Sequence, residues 1–242
     1  VGLYFHAAQD SCAIDIKVVA TGSLCGIWGL PGRSHGGMNI EVVGGQYGLR
    51  TKNAPDTMRN INNQTNGGAG IMVAGLKCYD QTALSVDVGD SVPLAVCGFH
   101  FRKNSGPVIN TDSGSSAANV PTLVDGMVEL TSGTAFLNPN NKNFYLRNVY
   151  VSGTNDLLKT GALPTVTGTG AWKLIREYVG HDTRESSGNS VFKTHAIING
   201  VFQAQTAQMI VDVQNNSSPP TATLVSQHVL ANIPSLDNGT YV

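Results

Sequence analysis

The chain has 242 residues, a formal net charge of −1, 28 glycines, and only 13% charged residues, about half the usual 25%. Such a balance suits short strands joined by many uncharged turns and argues against long helices. With no run of Lys or Arg and no apolar run near the roughly 18 residues of a membrane span, neither a nucleic-acid backbone nor a bilayer is expected as partner.

Val1-Gly2-Leu3-Tyr4-Phe5 reads as the middle of a strand with no initiator Met, so both ends are expected to be cuts in a longer chain. Cys12 to Ala20 alternates apolar and polar residues, the mark of a strand with one buried face, and Met38 to Gly45 repeats it 24 residues later (40 − 16). Ala74-Gly75-Leu76-Lys77-Cys78-Tyr79-Asp80 and Cys97-Gly98-Phe99-His100-Phe101-Arg102-Lys103 then carry one phrase twice, 23 residues apart (97 − 74). Periods in the twenties predict a solenoid of stacked coils.

Ile16, Ile40, Leu76, Phe99 and Val149 align as an inward column with steps of 24, 36, 23 and 50. The step of 36 is one coil with a loop inserted around Asn53 to Gly68, and the step of 50 is close to two coils. Met127-Val128-Glu129-Leu130 is the candidate for the unmatched rung. One residue on, Lys17, Glu41, Lys77, His100 and Tyr150 form an outward ladder, and Val18, Val42, Cys78, Phe101 and Val151 return inward. Coils wound in one sense predict parallel pairing.

Around Trp172 the texture changes. Thr160 to Gly170 is a small-residue loop, Trp172 to Tyr178 reads as a strand outside the repeat, and His181 to Asn189 is a charged, exposed loop. Asn215 to Thr221 reads as a linker. The expected organisation is therefore coils over 1–165, and linker plus strands packing along the coils over 166–242.

The rungs Asp15 to Gly22, Gly36 to Gly48 and Phe144 to Val151 resemble those of the pectate-lyase-like superfamily of right-handed parallel β-helices. They are most similar to the branch holding the glycoside hydrolase family 55 β-1,3-glucanases, in which two β-helices stand side by side. Leu230 to Val242 resembles the approach to that branch's second helix. The resemblance implies an all-β, right-handed parallel β-helix, half of a paired protein, acting on a β-glucan or related polysaccharide. It also implies a second β-helix domain of the same parent chain as partner and a catalytic glutamic acid outside this chain. No motif carries that acid to a position here.

Inverting glycosidases need two carboxyls about 6.5 to 9.5 Å apart. Weak candidates are Glu41, Glu177 and Asp182. Glu41 sits between Lys17 and Lys77, which favours a solvated charge stack, and Glu177 and Asp182 lie with Glu185, Arg176 and Arg184 in a polar loop. Asp80 begins a corner, where Asp commonly bonds nearby backbone. Sugar would be met by Lys77, Tyr79, His100, Tyr150 and Trp172, while Trp28 fits burial at least as well as binding. No carboxylate cluster suits calcium, no cysteine spacing suits a metal, and no cofactor is expected. The sequons at Asn63, Asn215, Asn216 and Asn238 lean towards a secreted, extracellular glycoprotein. Whether Cys78 and Cys97, on successive coils, form a disulfide stays open. Two other classes stand beside the hydrolase: a non-catalytic structural or adhesive β-helix of a spike, coat or surface protein, and a polysaccharide lyase.

Overall fold

The structure, a computed structural model, describes residues 1–5, 11–30, 36–51, 70–88, 93–111, 121–139, 143–160, 166–180, 195–198, 201–204 and 209–214. For residue 166 and the last three segments, it gives the backbone path alone. In chain order the strands are β1 (Leu3–Tyr4), β2 (Ala13–Val19), β3 (Cys25–Trp28), β4 (Gly36–Val43), β5 (Tyr47–Arg50) and β6 (Ile71–Tyr79). There follow β7 (Leu84–Asp87), β8 (Leu94–Ser105), β9 (Ile109–Asn110), β10 (Thr122–Ser132), β11 (Thr134–Asn138) and β12 (Phe144–Ser152). The last are β13 (Asp156–Thr160), β14 (Val166–Thr167), β15 (Lys173–Gly180), β16 (His195–Ile198), β17 (Val201–Ala204) and β18 (Met209–Gln214). No helix occurs among the described residues, so none there is long and apolar enough to cross a membrane.

The long strands β2, β4, β6, β8, β10 and β12 stack in parallel as one sheet, and the short strands β1, β3, β5, β7, β9, β11 and β13 stack as a second. The fold is a parallel β-solenoid of about five turns. Its inward column runs in strict register through Ile16, Ile40, Leu76, Phe99, Gly126 and Val149. The expected extra rung is thus β10, and its member of the column is a glycine. Phe99 explains that choice, because its ring occupies the space a Cβ at Gly126 would need, 2.2 Å from Cε1. A large side chain on one coil is matched by none on the next, as dense packing requires. Leu76, Phe99 and Val149 have no exposed surface, and each contributes about 1.5–3 kcal/mol through burial.

One residue before each inward position the long strands bend. Asp15, Asn39, Gly75, Gly98, Asp125 and Asn148 all have positive φ, between 50° and 73°. Only Gly, Asn and Asp tolerate this left-handed conformation cheaply, and the six positions hold nothing else. Two rungs tie this bend together across coils: Asn39 Nδ2 donates to Asp15 Oδ1 at 2.7 Å, and Asn148 Nδ2 to Asp125 Oδ1 at 3.0 Å. The bend inserts one residue into the alternation, so each long strand lies on two faces of the solenoid.

A different corner absorbs the changes in coil length. The chain leaves the short strands at Leu30, Thr51, Val88, Thr111 and Pro139 and re-enters the stack at Gly36, Gly70, Pro93, Pro121 and Asn143, gaps of very unequal length. The step of 36 from Ile40 to Leu76 (76 − 40) is produced there.

Beyond β12 the direction changes. β15 pairs with β12 antiparallel, β18 pairs with β15 antiparallel, and β14 closes the second sheet antiparallel to β13. The strand foreseen at Trp172–Tyr178 is β15, and it extends the long-strand sheet past the last coil. Tyr178 anchors it, fully buried against Phe144 with ring centroids 5.7 Å apart, and Asn138 Nδ2 donates to its Oη at 2.9 Å.

Candidate functional site

The outward ladder foreseen one residue past the inward column is present, running Lys17, Glu41, Lys77, His100, Met127 and Tyr150. Lys17 Nζ lies 2.7 Å from Glu41 Oε1. Met127 is the member sequence reasoning did not place; it is fully buried between its half-buried neighbours His100 and Tyr150. Two residues further along each strand, a parallel outward row holds Val43, Tyr79, Arg102, Glu129 and Ser152.

The two rows lock together at His100. Its Nδ1 lies 3.1 Å from Tyr79 Oη and its Nε2 lies 2.5 Å from Glu129 Oε1, so the ring bridges the coils on either side of its own. Burial lowers the His100 pKa, helped by Arg102 and Lys77 and opposed by the bond to Glu129, so the ring is neutral at neutral pH. An ionised carboxylate only accepts. The Nε2–H therefore donates to Glu129, and Nδ1 accepts the hydroxyl proton of Tyr79. Burial first, and then the charge of Glu41, raises the Tyr79 hydroxyl to about 12, so it keeps its proton at neutral pH. The Arg102 guanidinium covers the Tyr79 ring at 4.7 Å from its centroid and reaches to 3.9 Å from Asp80.

Glu129, absent from the sequence-derived candidates, is the acid that this arrangement orients. The signal that would have found it is the register itself: extending the Tyr79–Arg102 row by one coil arrives at Glu129. Of the foreseen acids, Glu41 is held by Lys17, and Glu177 accepts a hydrogen bond from Tyr145 Oη at 3.0 Å in the antiparallel strand β15, opposite Arg147, rather than in a loop. Asp182 lies outside the described residues. Lys77, Tyr79, His100 and Tyr150 come together on one face, whereas half-buried Trp172 stands at the entry to β15.

A second aromatic and charged group lies on the outer side of the short-strand sheet. Arg50 reaches Asp87 at 3.0 Å while its guanidinium sits 4.9 Å from the Tyr47 ring centre and 5.7 Å from that of Trp28. Trp28 is half-buried, its ring meeting Tyr4 edge-on at 5.8 Å. All four cysteines are free thiols. Cys78 lies inward beside Phe101, and Cys97 is exposed in register with Ala74, so the two are not paired. No group of three or more His, Cys, Asp or Glu among the described residues is arranged to hold a metal ion.

No known protein family, curated protein or solved structure matches the chain in comparisons of sequence and fold.

Proposed function

We propose that this chain is a polysaccharide-binding β-solenoid that holds an extended glycan against the outward face bearing Lys77, Tyr79, His100 and Tyr150. The observation that carries the reading is the pair of outward rows kept in register over successive coils and cross-linked by His100. Coils rise by about 4.8 Å, so polar and planar groups recur along the axis at a spacing that suits a polymer better than a compact ligand. The sequons are what supports an extracellular setting for this activity, and the sequence from Leu230 is what supports a second β-helix as partner.

The face supports binding more than hydrolysis. Its described acids are engaged, Glu41 with Lys17, Glu129 with His100 and Asp80 with Arg102. Hydrolysis is the second reading, favoured by Glu129, whose side chain keeps 36% exposure while held at a fixed angle by His100. An inverting hydrolase would still need a second carboxyl. Affinity electrophoresis of the chain in gels containing neutral and uronic-acid polysaccharides tests the first reading. Retardation that weakens in Lys77→Ala and Tyr150→Ala is expected, and unchanged mobility in every polysaccharide would overturn it. Release of reducing sugar that disappears in Glu129→Gln would instead favour the second.

A further inference from the structure

The corner where the long strands pass to the short ones carries two open grooves. The first, about 410 Å³, is lined by Thr21, Ser23, Val43, Gln46, Asp80 and Thr82 with Gly22, Gly44 and Gly45. The second, about 280 Å³, is lined by Thr131, Ser132, Thr154, Asn155 and Asp156 with Gly133 and Gly153. The two share one composition: hydroxyls, one amide, one carboxylate, glycines at positive φ, and no cation.

Each floor is fixed from beneath. Under the first, buried Gln81 donates from Nε2 to the carbonyls of Tyr79, Gly44 and Val42 at 2.8, 3.2 and 3.3 Å. In the second, Thr154 Oγ1 donates to the Gly133 carbonyl and accepts the Asp156 amide at 3.0 Å. The glycines let neighbouring coils approach closely where the grooves lie. At Gly44 a Cβ would come within 3.1 Å of Thr21, and at Gly153 it would collide with the Leu130 carbonyl.

Register places the grooves on one line. Gly44, Asp80, Lys103, Leu130 and Gly153 follow one another coil by coil at this corner, so the groove centres, one on the Gly44 coil and one between the Leu130 and Gly153 coils, are about 17 Å apart along the axis at about 4.8 Å per coil. We infer that this corner is a two-subsite track for a neutral, hydroxyl-rich polysaccharide lying parallel to the solenoid axis, one stretch of the polymer seated in each groove. The inference rests on the polysaccharide reading above and narrows it. Asp80 and Asp156 in the linings disfavour a polyuronate, although Arg102 reaches to 3.9 Å from Asp80, whereas hydroxyls, amide and carboxylate all bond sugar hydroxyls.

The experiment is calorimetric titration of the whole chain with a soluble neutral glucan, its oligosaccharides of graded length, and polygalacturonate. It is repeated on Gln46→Trp and Asn155→Trp, which fill one groove each from exposed positions, with melting curves confirming that the fold is retained. Affinity should rise steeply once an oligosaccharide is long enough to reach both grooves. Either Trp variant should remove that rise and cost about tenfold or more for the long ligand, because two linked subsites act with an effective concentration. Polygalacturonate should bind about tenfold or more weakly than the neutral glucan at low salt, and adding salt should narrow the difference. Full affinity in both Trp variants, with Lys77→Ala and Tyr150→Ala weakened, would overturn the track and leave the outer-face reading standing; a preference for polygalacturonate would likewise overturn it. A parent chain that binds no polysaccharide would overturn both.

Discussion

The column Ile16, Ile40, Leu76, Phe99, Gly126 and Val149 and the ladder Lys17, Glu41, Lys77, His100, Met127 and Tyr150 are successive residues of the same six strands. One meets the core, and the other faces outward, with only Met127 of its members fully covered. The inward column is made of fits that depend on the coil above and below, as where Phe99 fills the space Gly126 leaves. The outward ladder is made of contacts that solvent screens, as at Lys17 and Glu41, except where His100 withdraws from it. Packing thus resides mainly in the inward positions of the pleat and polar contacts mainly in the outward ones, and a single substitution reports chiefly on one or the other.

The sharpest test of that division is Phe99→Ala, expected to cost about 3–5 kcal/mol in urea unfolding. If the loss comes from the space shared with the next coil, adding Gly126→Leu should recover part of it, although Gly126→Leu alone destabilises by overpacking. Additive losses in the double variant would show that the two coils pack independently. Next in size is the bend that separates the two columns. Gly98→Val forces a β-branched residue to a φ near 68° and should cost on the order of 2 kcal/mol, with Gly98→Asn costing clearly less. Equal melting temperatures for the two variants would mean that the bend relaxes.

Most of the column geometry was legible in the sequence because a period of two, repeated at about one coil, fixes both register and face. Laying Ile16 over Ile40, Leu76, Phe99 and Val149 reproduces the pairing, and the rung between Phe99 and Val149 is β10. The bend leaves a trace in the sequence, an Asp, Asn or Gly just before each inward residue, that simple alternation does not disclose. A single copy looks like a turn residue, so only the alignment of all six reveals it. Other features had no such signal. Strand direction is not written in alternation, and β15 alternates like a coil while running antiparallel. Met127 occupies an outward position but is covered by its neighbours in the ladder. The short strands bury two consecutive residues, such as Leu157 and Leu158 of β13, which breaks the period altogether. At the site, Tyr79 and His100 were visible from the repeat, whereas Glu129 depended on a coil whose inward residue is a glycine.

Lys103 crosses the division, since it lies on a long strand yet is buried, its ammonium donating to the carbonyls of Ala83 and Pro107. Burial lowers its pKa from the usual 10.5 to about 8. Between those two values the unfolded chain binds more protons than the folded one, so this group makes stability rise with pH across that window. Lys103→Met should flatten the rise in melts recorded from pH 8 to 10.5, and an unchanged slope would mean that the ammonium reaches solvent.

His100 gives the corresponding effect in acid. Its folded pKa lies below 6.5 because burial outweighs Glu129. As pH falls through the usual histidine range the unfolded chain takes up the proton first, and stability drops. His100→Gln removes the titrating group while keeping polar contacts, so the fall in melting temperature from pH 7 to 5 should be smaller than in the parent.

The smallest effect belongs to the exposed end of the same ladder. Lys17 and Glu41 are 2.7 Å apart, yet the lysine side chain is 62% exposed. Ordering two long side chains in water offsets most of their attraction, so Lys17→Ala should change stability by about 0–1 kcal/mol, and less at high salt. The value of the experiment lies in its contrast with Phe99→Ala three coils away. A loss at Lys17 comparable to the loss at Phe99 would mean that outward contacts help hold the stack together. The outward positions would then not be free to serve a ligand, and a polysaccharide bound along them would have to raise the unfolding temperature as well as occupy the face.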